Sequence, residues 1–286
     1  MADRVNFLIG YGERLASEIA APVAGAPKRH PYTLFEARER LAPMVIETAH
    51  ELDELPDVVC PADHAVALVT LHPSYLAKSY YPGNLLRAFQ LETIGSRSRE
   101  VVPKKWTKAK PPEAAVTSEL FVAGLRKDFR RFANSVERFN EGTPGADDLI
   151  KIEDVRAPTP EEKLKPLRST SKEPLLEVVL HAQPTRQDAY ILEGFEAYLG
   201  TFGVDLDLDR RRFFAEGLCF LPVRIPRENF TDVAKFSFLR LAREMPRLRQ
   251  FRPLVRATPG FTSFACHLPN EDITAYENPT KSKEIG

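Results

Sequence analysis

The sequence predicts an α+β protein that contains two small modules of strands and helices. Three observations support this fold class: a helix that starts at a capping box, short apolar strands that alternate with helices, and a proline-rich stretch between two such groups. The chain has 286 residues, of which 43% are hydrophobic and 28% charged, as is typical of a globular protein. That length suits one large domain or two of ordinary size.

The charge and cysteine content exclude several classes of protein. The 40 basic residues balance 40 acidic ones, so we do not expect a surface built as a whole for nucleic acid or anionic lipid. Three cysteines are too few for a disulfide framework. The best apolar run, residues 65–71, is far shorter than the roughly 20 residues of a membrane-spanning helix, and the first residues lack a secretory leader. We therefore expect a cytoplasmic chain without a membrane partner.

The first elements are an arm and a helix. Residues 1–32 are rich in Ala, Pro and Gly, which predicts an extended N-terminal arm. Thr33 and Glu36 have the spacing of a capping box, in which each side chain satisfies the free backbone N–H of the other residue. Leu34, Leu41 and Val45 then recur at helical spacing, so the sequence predicts a helix over residues 34–52.

Residues 33–142 contain this helix and the first module, whose elements follow in the order strand, helix, strand, strand, helix. Pro82 suits the start of the short helix, and Gly95 lies just past its predicted end. A ferredoxin-like (βαββαβ) module accounts for this order. The predicted bounds are 65–72 for the first strand, 93–103 and 114–123 for the next two, and 125–139 for the last helix.

A connector and a second, related α+β module follow. Prolines and charges mark residues 143–174 as a proline-rich connector, in which residues 148–154 are a candidate short strand. Residues 175–181 echo residues 66–72, including the histidine at the end, and this echo suggests an internal duplication. The second module is predicted to span residues 175–252. After its first strand it contains a helix at 187–200, strands at 204–208 and 213–224, and a long helix from Asn229 that kinks at Pro246. Residues 253–286 are predicted to form an extended C-terminal tail.

The histidines and cysteines do not form a catalytic or metal-binding pattern. His72 and His181 end strands, where a neutral, hydrogen-bonded imidazole is the commoner outcome. Cys60 and His64 have no second pair nearby in sequence, whereas a structural zinc site normally draws four ligands. Residues 205–209 resemble the start of a calcium loop, but they lack the glycine of its sharp turn. Because phosphate loops and nucleophile elbows are also missing, we expect no metal, no cofactor and no autonomous enzyme activity.

Two basic stretches, residues 96–110 and 240–256, could contact phosphates, with Trp106 as a stacking platform for a base. They could equally be solvated faces or a docking surface for an acidic protein. We favour these two readings over nucleic acid, because no recognised nucleic-acid motif accompanies the charge. The candidate docking residues of the first stretch are Arg97, Arg99, Lys104, Lys105, Trp106, Lys108 and Lys110.

Several segments carry a resemblance to a known group of proteins. They are residues 6–15 in the arm, 30–38, 69–82, 95–97, 105–107 and 117–124, and the region from 69 to 124 is the most specific. These segments resemble the long N-terminal region of bacterial subtilisin-like serine peptidases. Members of that group are often paired with an AAA-type ATPase in plasmid-maintenance or phage-defence modules.

The resemblance implies a non-catalytic role for this chain. The catalytic triad of the family lies in motifs of the types Asp-x-Gly, His-Gly-Thr and Gly-Thr-Ser, and none of them occurs here. Because a triad needs nucleophile, base and orienting acid together, the chain alone is expected not to hydrolyse peptides. It would instead inhibit the catalytic domain and assist its folding, in cis or as a cleaved partner, with an AAA-type ATPase as a further partner.

The resemblance also implies a geometry for this inhibition. Prodomains of this order place a sheet against the protease surface and thread a C-terminal extension through the active-site cleft. Residues 114–123 would offer a face made either of Val116 and its alternating neighbours or of Thr117, Glu119 and Phe121. In the second case Glu119 could cap the N-terminus of a protease helix.

The tail at residues 258–286 would reach the active-site cleft by strand addition. The alternative function is a free-standing adaptor that contacts a protein or nucleic acid through the two basic stretches.

Overall fold

A computed structural model describes residues 30–76, 80–106, 111–204 and 212–246. Most of the predicted arm, the whole predicted tail, residues 205–209 and the side chains of Lys108 and Lys110 lie outside the described residues.

The first half of the described chain forms an antiparallel sheet with helices. The helix α1 begins at the predicted capping box, where the Thr33 hydroxyl accepts from the Glu36 N–H and the Glu36 carboxylate accepts from the Thr33 N–H. The strand order is β2-β3-β1-β4, and all neighbouring pairs are antiparallel. The elements are α1 (Leu34–Asp53), β1 (His64–Leu71), α2 (Gly83–Ala88), β2 (Glu92–Val101), β3 (Ala115–Leu125), α3 (Arg126–Val136), α4 (Ala146–Leu149) and β4 (Ile152–Arg156).

The second half forms another four-stranded antiparallel sheet, in the order β6-β7-β5-β8. Its first two strands in that order are joined by Glu216 and Gly217, which have left-handed φ values of 48° and 81°, as a two-residue hairpin turn requires. The elements are α5 (Pro160–Lys163), β5 (Leu175–His181), α6 (Ala189–Gly200), β6 (Phe213–Ala215), β7 (Leu218–Arg224), α7 (Phe230–Val233) and β8 (Leu239–Glu244). Single 3-10 turns lie at Asp57–Val59, Pro61–Asp63, Pro73–Tyr75 and Arg227–Asn229.

The two sheets share details beyond the strand order. The pairing of β1 with β4 shifts register after Thr70, and the pairing of β5 with β8 shifts register after Val179. The histidines that follow have the same backbone role, because each donates its N–H to the residue just before the last strand of its sheet. His72 donates to the Lys151 carbonyl at 2.8 Å, and His181 donates to the Phe238 carbonyl at 3.0 Å.

The mixed α+β class is confirmed, with two antiparallel sheets and several helices. The sequence also predicted α1, β1, β2, β3, α3, β5 and α6 to within three residues at each end. Gly95, which the sequence suggested as the end of α2, instead lies inside β2 at a register shift. The connector at 143–174 contains β4, so the strand that completes the first sheet lies within it.

The long helix predicted from Asn229 is wrong. The structure has only α7 there, and the chain then enters β8, which pairs with β5 along Leu176–Leu180. The apolar spacing of residues 230–248 fits a helix, but β5 offers a free edge whose backbone groups need partners. Pairing at this edge therefore overrides the local pattern.

One continuous hydrophobic core runs through both halves. In the first half, Val69 and Val122 line the same interior as Val45 of α1 and Phe129 of α3. Their neighbours in the strands point to the opposite side of the sheet, which we call the outer face. Within the described residues, no helix is long and apolar enough to cross a membrane.

The two halves are also joined by hydrogen bonds. The Val66 N–H donates to the Ser237 hydroxyl, and the Ser237 N–H donates to the Val59 carbonyl, both at 2.9 Å. Beside these bonds, within the second half, the buried Lys163 Nζ donates to the Phe236 carbonyl at 3.0 Å. We call this contact region the seam.

Candidate functional site: the outer faces of the two sheets

Each sheet carries one row of four residues on its outer face, and the two rows occupy matching positions. In the first sheet Thr70 pairs with Glu119 on one side and Asp154 on the other, and in the second sheet Val179 pairs with Phe220 and Leu241. The charged row, in strand order, is Arg97, Glu119, Thr70 and Asp154. The apolar row, in strand order, is Phe213, Phe220, Val179 and Leu241.

Glu119 lies at the centre of the charged row and is 0% exposed. Its carboxylate accepts hydrogen bonds from Arg97 Nε at 2.5 Å and from Arg99 Nη1 at 2.7 Å. It also accepts from Arg156 Nη2 at 3.0 Å. A buried carboxylate without partners would be very costly, and the forked donors of guanidinium groups match its two oxygens. The three arginines therefore supply the hydrogen-bond partners that this buried carboxylate needs.

Two further carboxylates balance the charge of the three arginines. Asp154 accepts from Arg99 at 3.0 Å, and Glu162 of α5 pairs with both Arg97 and Arg156. Burial alone would raise the pKa of Glu162, but the hydrogen bonds and charges of the two arginines outweigh burial and hold it at about 2. We call these six residues the Glu119 cluster. Its three arginines balance its three carboxylates, and each ion has a partner within the chain, although the buried Nε of Arg156 has no hydrogen-bond partner.

The apolar row is more accessible. Phe213 is 66% exposed, and Phe220 and Leu241 are half-buried. Val179 is buried, with 4% of its surface exposed, and the other three residues neither belong to the continuous core nor pack against it. At the edge of this face Arg243 Nε pairs with Glu177 at 2.5 Å. An apolar surface with a polar rim is typical of a protein interaction site.

The three residues that the sequence offered to a partner, Thr117, Glu119 and Phe121, all lie on the outer face of the first sheet and are all buried. The Thr117 hydroxyl donates to the Leu71 carbonyl at 2.6 Å. The Phe121 ring lies 4.4 Å below the Arg240 guanidinium. Because this chain covers them itself, a partner would reach them only if the cover moved, and their docking role stays a prediction.

The candidate docking residues of the first basic stretch lie in several different environments. Arg97 and Arg99 bind carboxylates in the Glu119 cluster, and Lys105 Nζ pairs with Glu36 at 2.8 Å. Lys104 is exposed, and the Trp106 ring packs against the His72 ring at 5.5 Å. The arginine charge of this stretch is therefore used within the chain, and its docking role also stays a prediction.

Sequence reasoning missed the apolar row. Its members come from four different strands, and one of them, Leu241, was assigned to a helix, so no local pattern placed them together. The alternation of Phe220 with buried Cys219 and Leu221 was the one available signal. The sequence matches no protein-family model and no curated protein.

Proposed function

We propose that this chain is the non-catalytic N-terminal region of a subtilisin-like serine peptidase, which inhibits the catalytic domain and assists its folding. The observation that carries the proposal is the strand arrangement. In both halves the order along the chain is strand, helix, strand, strand, helix, strand, and the second and third strands lie on the same side of the first.

This arrangement supports two ferredoxin-like modules related by duplication. The matching register shifts after Thr70 and Val179 and the matching backbone bonds of His72 and His181 are details that two unrelated sheets would not be expected to share. A duplicated prodomain-type module agrees with the resemblance of residues 69–124 to the N-terminal region of these peptidases.

The apolar row is the surface that we propose for docking on the catalytic domain. A prodomain of this kind lies with its sheet against the protease, and only the second sheet offers an accessible apolar outer face. Burial of a large apolar side chain contributes roughly 1.5–3 kcal/mol. Phe213 and Leu241 would therefore supply much of the docking energy, whereas the Glu119 cluster would bring ions that already have partners.

The resemblance alone supports an AAA-type ATPase as a further partner. The cytoplasmic location is proposed from the sequence, whose three widely separated cysteines do not form a disulfide framework. The adaptor function has less support, because Arg97 and Arg99 bind carboxylates of this chain instead of presenting free charge.

The test is inhibition in trans. The purified chain, added in stoichiometric excess to the catalytic domain encoded with it, should slow hydrolysis of a peptide substrate. The Phe213→Asp, Leu241→Asp double variant should inhibit at least tenfold less well while keeping the circular dichroism spectrum of the parent chain. Ile46→Glu, which changes an exposed apolar residue on α1, is the matched control and should inhibit normally.

Two results would count against the proposal. A folded chain that leaves hydrolysis unchanged at tenfold excess removes the inhibitory function. Normal inhibition by the double variant removes the apolar row as the docking surface but leaves the function itself standing.

A further inference from the structure

A cleft of about 600 Å³ lies at the seam between the two sheets, apart from both outer-face rows. Its walls come from the start of β2, the end of β3, the end of β5, the start of α6 and the turn between β6 and β7. This volume is within the range of small-molecule sites. The apolar part of the wall includes Ile94, Leu120 and Phe238.

The charged residues of the cleft are all acidic. Glu92, Asp188 and Glu216 line it, and its described lining contains no lysine or arginine. Burial, together with the charges of Asp188 and Glu92, raises the pKa of the Tyr190 hydroxyl to about 12. The two carboxylates therefore act on the same part of the cleft. Arg240 binds the Ser96 carbonyl at 3.1 Å and is not part of the lining.

His181 is the second and independent feature of the cleft. It is 3% exposed, and neither of its ring nitrogens has a hydrogen-bond partner of acceptable geometry. Its counterpart in the first sheet differs, since the His72 ring bonds the Lys105 carbonyl through Nε2 and the Ser74 N–H through Nδ1. Buried polar groups normally have partners, so an unpaired imidazole at a cleft wall points to a ligand that supplies one.

The imidazole of His181 is neutral. Burial, and to a smaller extent the charges of Arg240 and Lys163, lower its pKa to about 3, and the Ile94 backbone opposes these effects only in part. A neutral imidazole keeps one nitrogen as an acceptor. Gly95 makes room for the ring, because a Cβ there would lie 3.0 Å from His181 Cε1.

We propose that this cleft binds an alkylammonium group, such as a lysine side chain or a free primary amine, with its N–H donated to His181. The carboxylates of Glu92, Asp188 and Glu216 balance the positive charge, and the apolar wall contacts the methylene stem. An anionic ligand would meet three carboxylates, and the Arg240 guanidinium beside His181 is already engaged by the Ser96 carbonyl and the Phe121 ring. This inference does not depend on the proposed function, since the cleft and the apolar row share no residue.

The test is calorimetric titration of the full chain at pH 7 with n-pentylamine and with Nα-acetyl-lysine methylamide. At least one of them should bind at 1:1 stoichiometry and at least tenfold more tightly than its neutral isostere, 1-pentanol or Nα-acetyl-norleucine methylamide. Preference for the first compound identifies a free amine, and preference for the second identifies a lysine in a peptide. Equal binding of the neutral isosteres, or no binding at millimolar concentration, overturns the proposal.

Variants separate this site from a general effect of charge. Glu92→Gln and Glu216→Gln should each weaken binding about three- to fivefold, as expected for a solvent-accessible ion pair. Glu100→Gln removes an exposed carboxylate from the same strand, outside the cleft, and should leave binding unchanged. His181→Phe should weaken binding at least tenfold. If that variant does not fold, the two glutamate variants decide, and unchanged affinity in both overturns the proposal.

Discussion

In the first sheet the central outer row consists of Arg97, Glu119, Thr70 and Asp154, whereas in the second sheet the matching row consists of Phe213, Phe220, Val179 and Leu241. Both rows lie across the same strand order and next to the same register shift. The backbone therefore places four residues at matching positions in the two sheets, and only their side chains make one row charged and the other apolar. One row is held by ion pairs within the chain, and the other is apolar, with Phe213 exposed and Phe220 and Leu241 half-buried.

The ends of the central strands show the same contrast. The imidazole of His72 has a partner on each nitrogen, while the imidazole of His181 has none of acceptable geometry. In both comparisons the compared groups of the first sheet have partners within the chain, whereas the second sheet keeps an apolar surface and an imidazole that lack them. We infer that the first sheet mainly supports the fold and that the second carries recognition.

The largest effect is expected for Glu119→Gln, which removes the buried charge and almost no volume. Three arginines would then surround a neutral amide, and breaking a buried ion network in this way costs about 3–5 kcal/mol. Urea denaturation should therefore show a free energy of unfolding lowered by that amount. Glu100→Gln, an exposed neighbour on β2, should stay within about 0.5 kcal/mol of the parent. If Glu119→Gln lowers the free energy of unfolding by less than about 1 kcal/mol, water screens the ions of the cluster, and the cluster does not stabilise the outer face of the first sheet.

Lys163 of α5 tests how well the region beside the seam is buried, because its amine bonds the carbonyl of Phe236, the residue before Ser237. Burial lowers its pKa to about 8 in the folded chain, against an ordinary value of 10.5. Between these pH values the unfolded chain binds a proton that the folded chain does not, so the free energy of unfolding should rise with pH by up to about 3 kcal/mol.

The comparison with Lys163→Met isolates this contribution. The free energy of unfolding of the parent minus that of the variant should increase between pH 8 and 10.5, because the variant has no amine to titrate. Lys165→Met, at an exposed neighbouring position, should follow the parent. A difference that stays constant over this range would place Lys163 in contact with water and would weaken the description of the seam as buried.

Local signals explain the parts of the fold that the sequence could predict. The capping box of Thr33 and Glu36 lies within one turn, and it marked the start of α1 correctly. The strand β8 depends on pairing with β5, about 60 residues earlier in the chain. Its apolar residues also have helical spacing, so the sequence predicted a helix there.

The Glu119 cluster could not be predicted either, because it also depends on contacts between residues that are far apart in the sequence. Arg97, Arg99 and Arg156 come from two other strands, and their convergence on Glu119 depends on the register of the whole sheet. The sequence correctly placed His72 and His181 at strand ends. One partner of His72, the Lys105 carbonyl, lies in a loop that only the tertiary structure brings close.

A smaller effect is expected from His181 in acid. Burial holds its folded pKa at about 3, whereas the unfolded chain takes up a proton near pH 6.5. The free energy of unfolding should therefore fall as the pH drops below 6.5, by about 1.4 kcal/mol per pH unit from this group, or about 2 kcal/mol by pH 5. His181→Phe should show a shallower pH dependence by this amount, while His50→Gln, on the surface of α1, should not. Parallel curves for the parent and His181→Phe would show that water reaches the imidazole.

The smallest effect on stability is expected at the apolar row, and it separates a surface for recognition from a core. Leu241→Thr changes a half-buried residue outside the continuous core, so the free energy of unfolding should fall by less than about 1 kcal/mol. Leu239 lies two residues earlier in β8, but the register shift between these residues places it on the core side, where it is buried. Leu239→Thr should therefore lower the free energy of unfolding by about 2–4 kcal/mol. Thermal denaturation of the parent chain and of both variants measures these two losses of stability.

The same pair of variants distinguishes docking from packing. If the apolar row docks on a catalytic domain, Leu241→Thr should weaken inhibition more than it weakens the fold, because its side chain loses a partner that is present only in the complex. Leu239→Thr should lower stability and leave the affinity of the remaining folded molecules unchanged. Equal losses of stability at both positions would show that the outer face of the second sheet is already closed by this chain, and the contrast between the two sheets would then be one of side-chain chemistry alone.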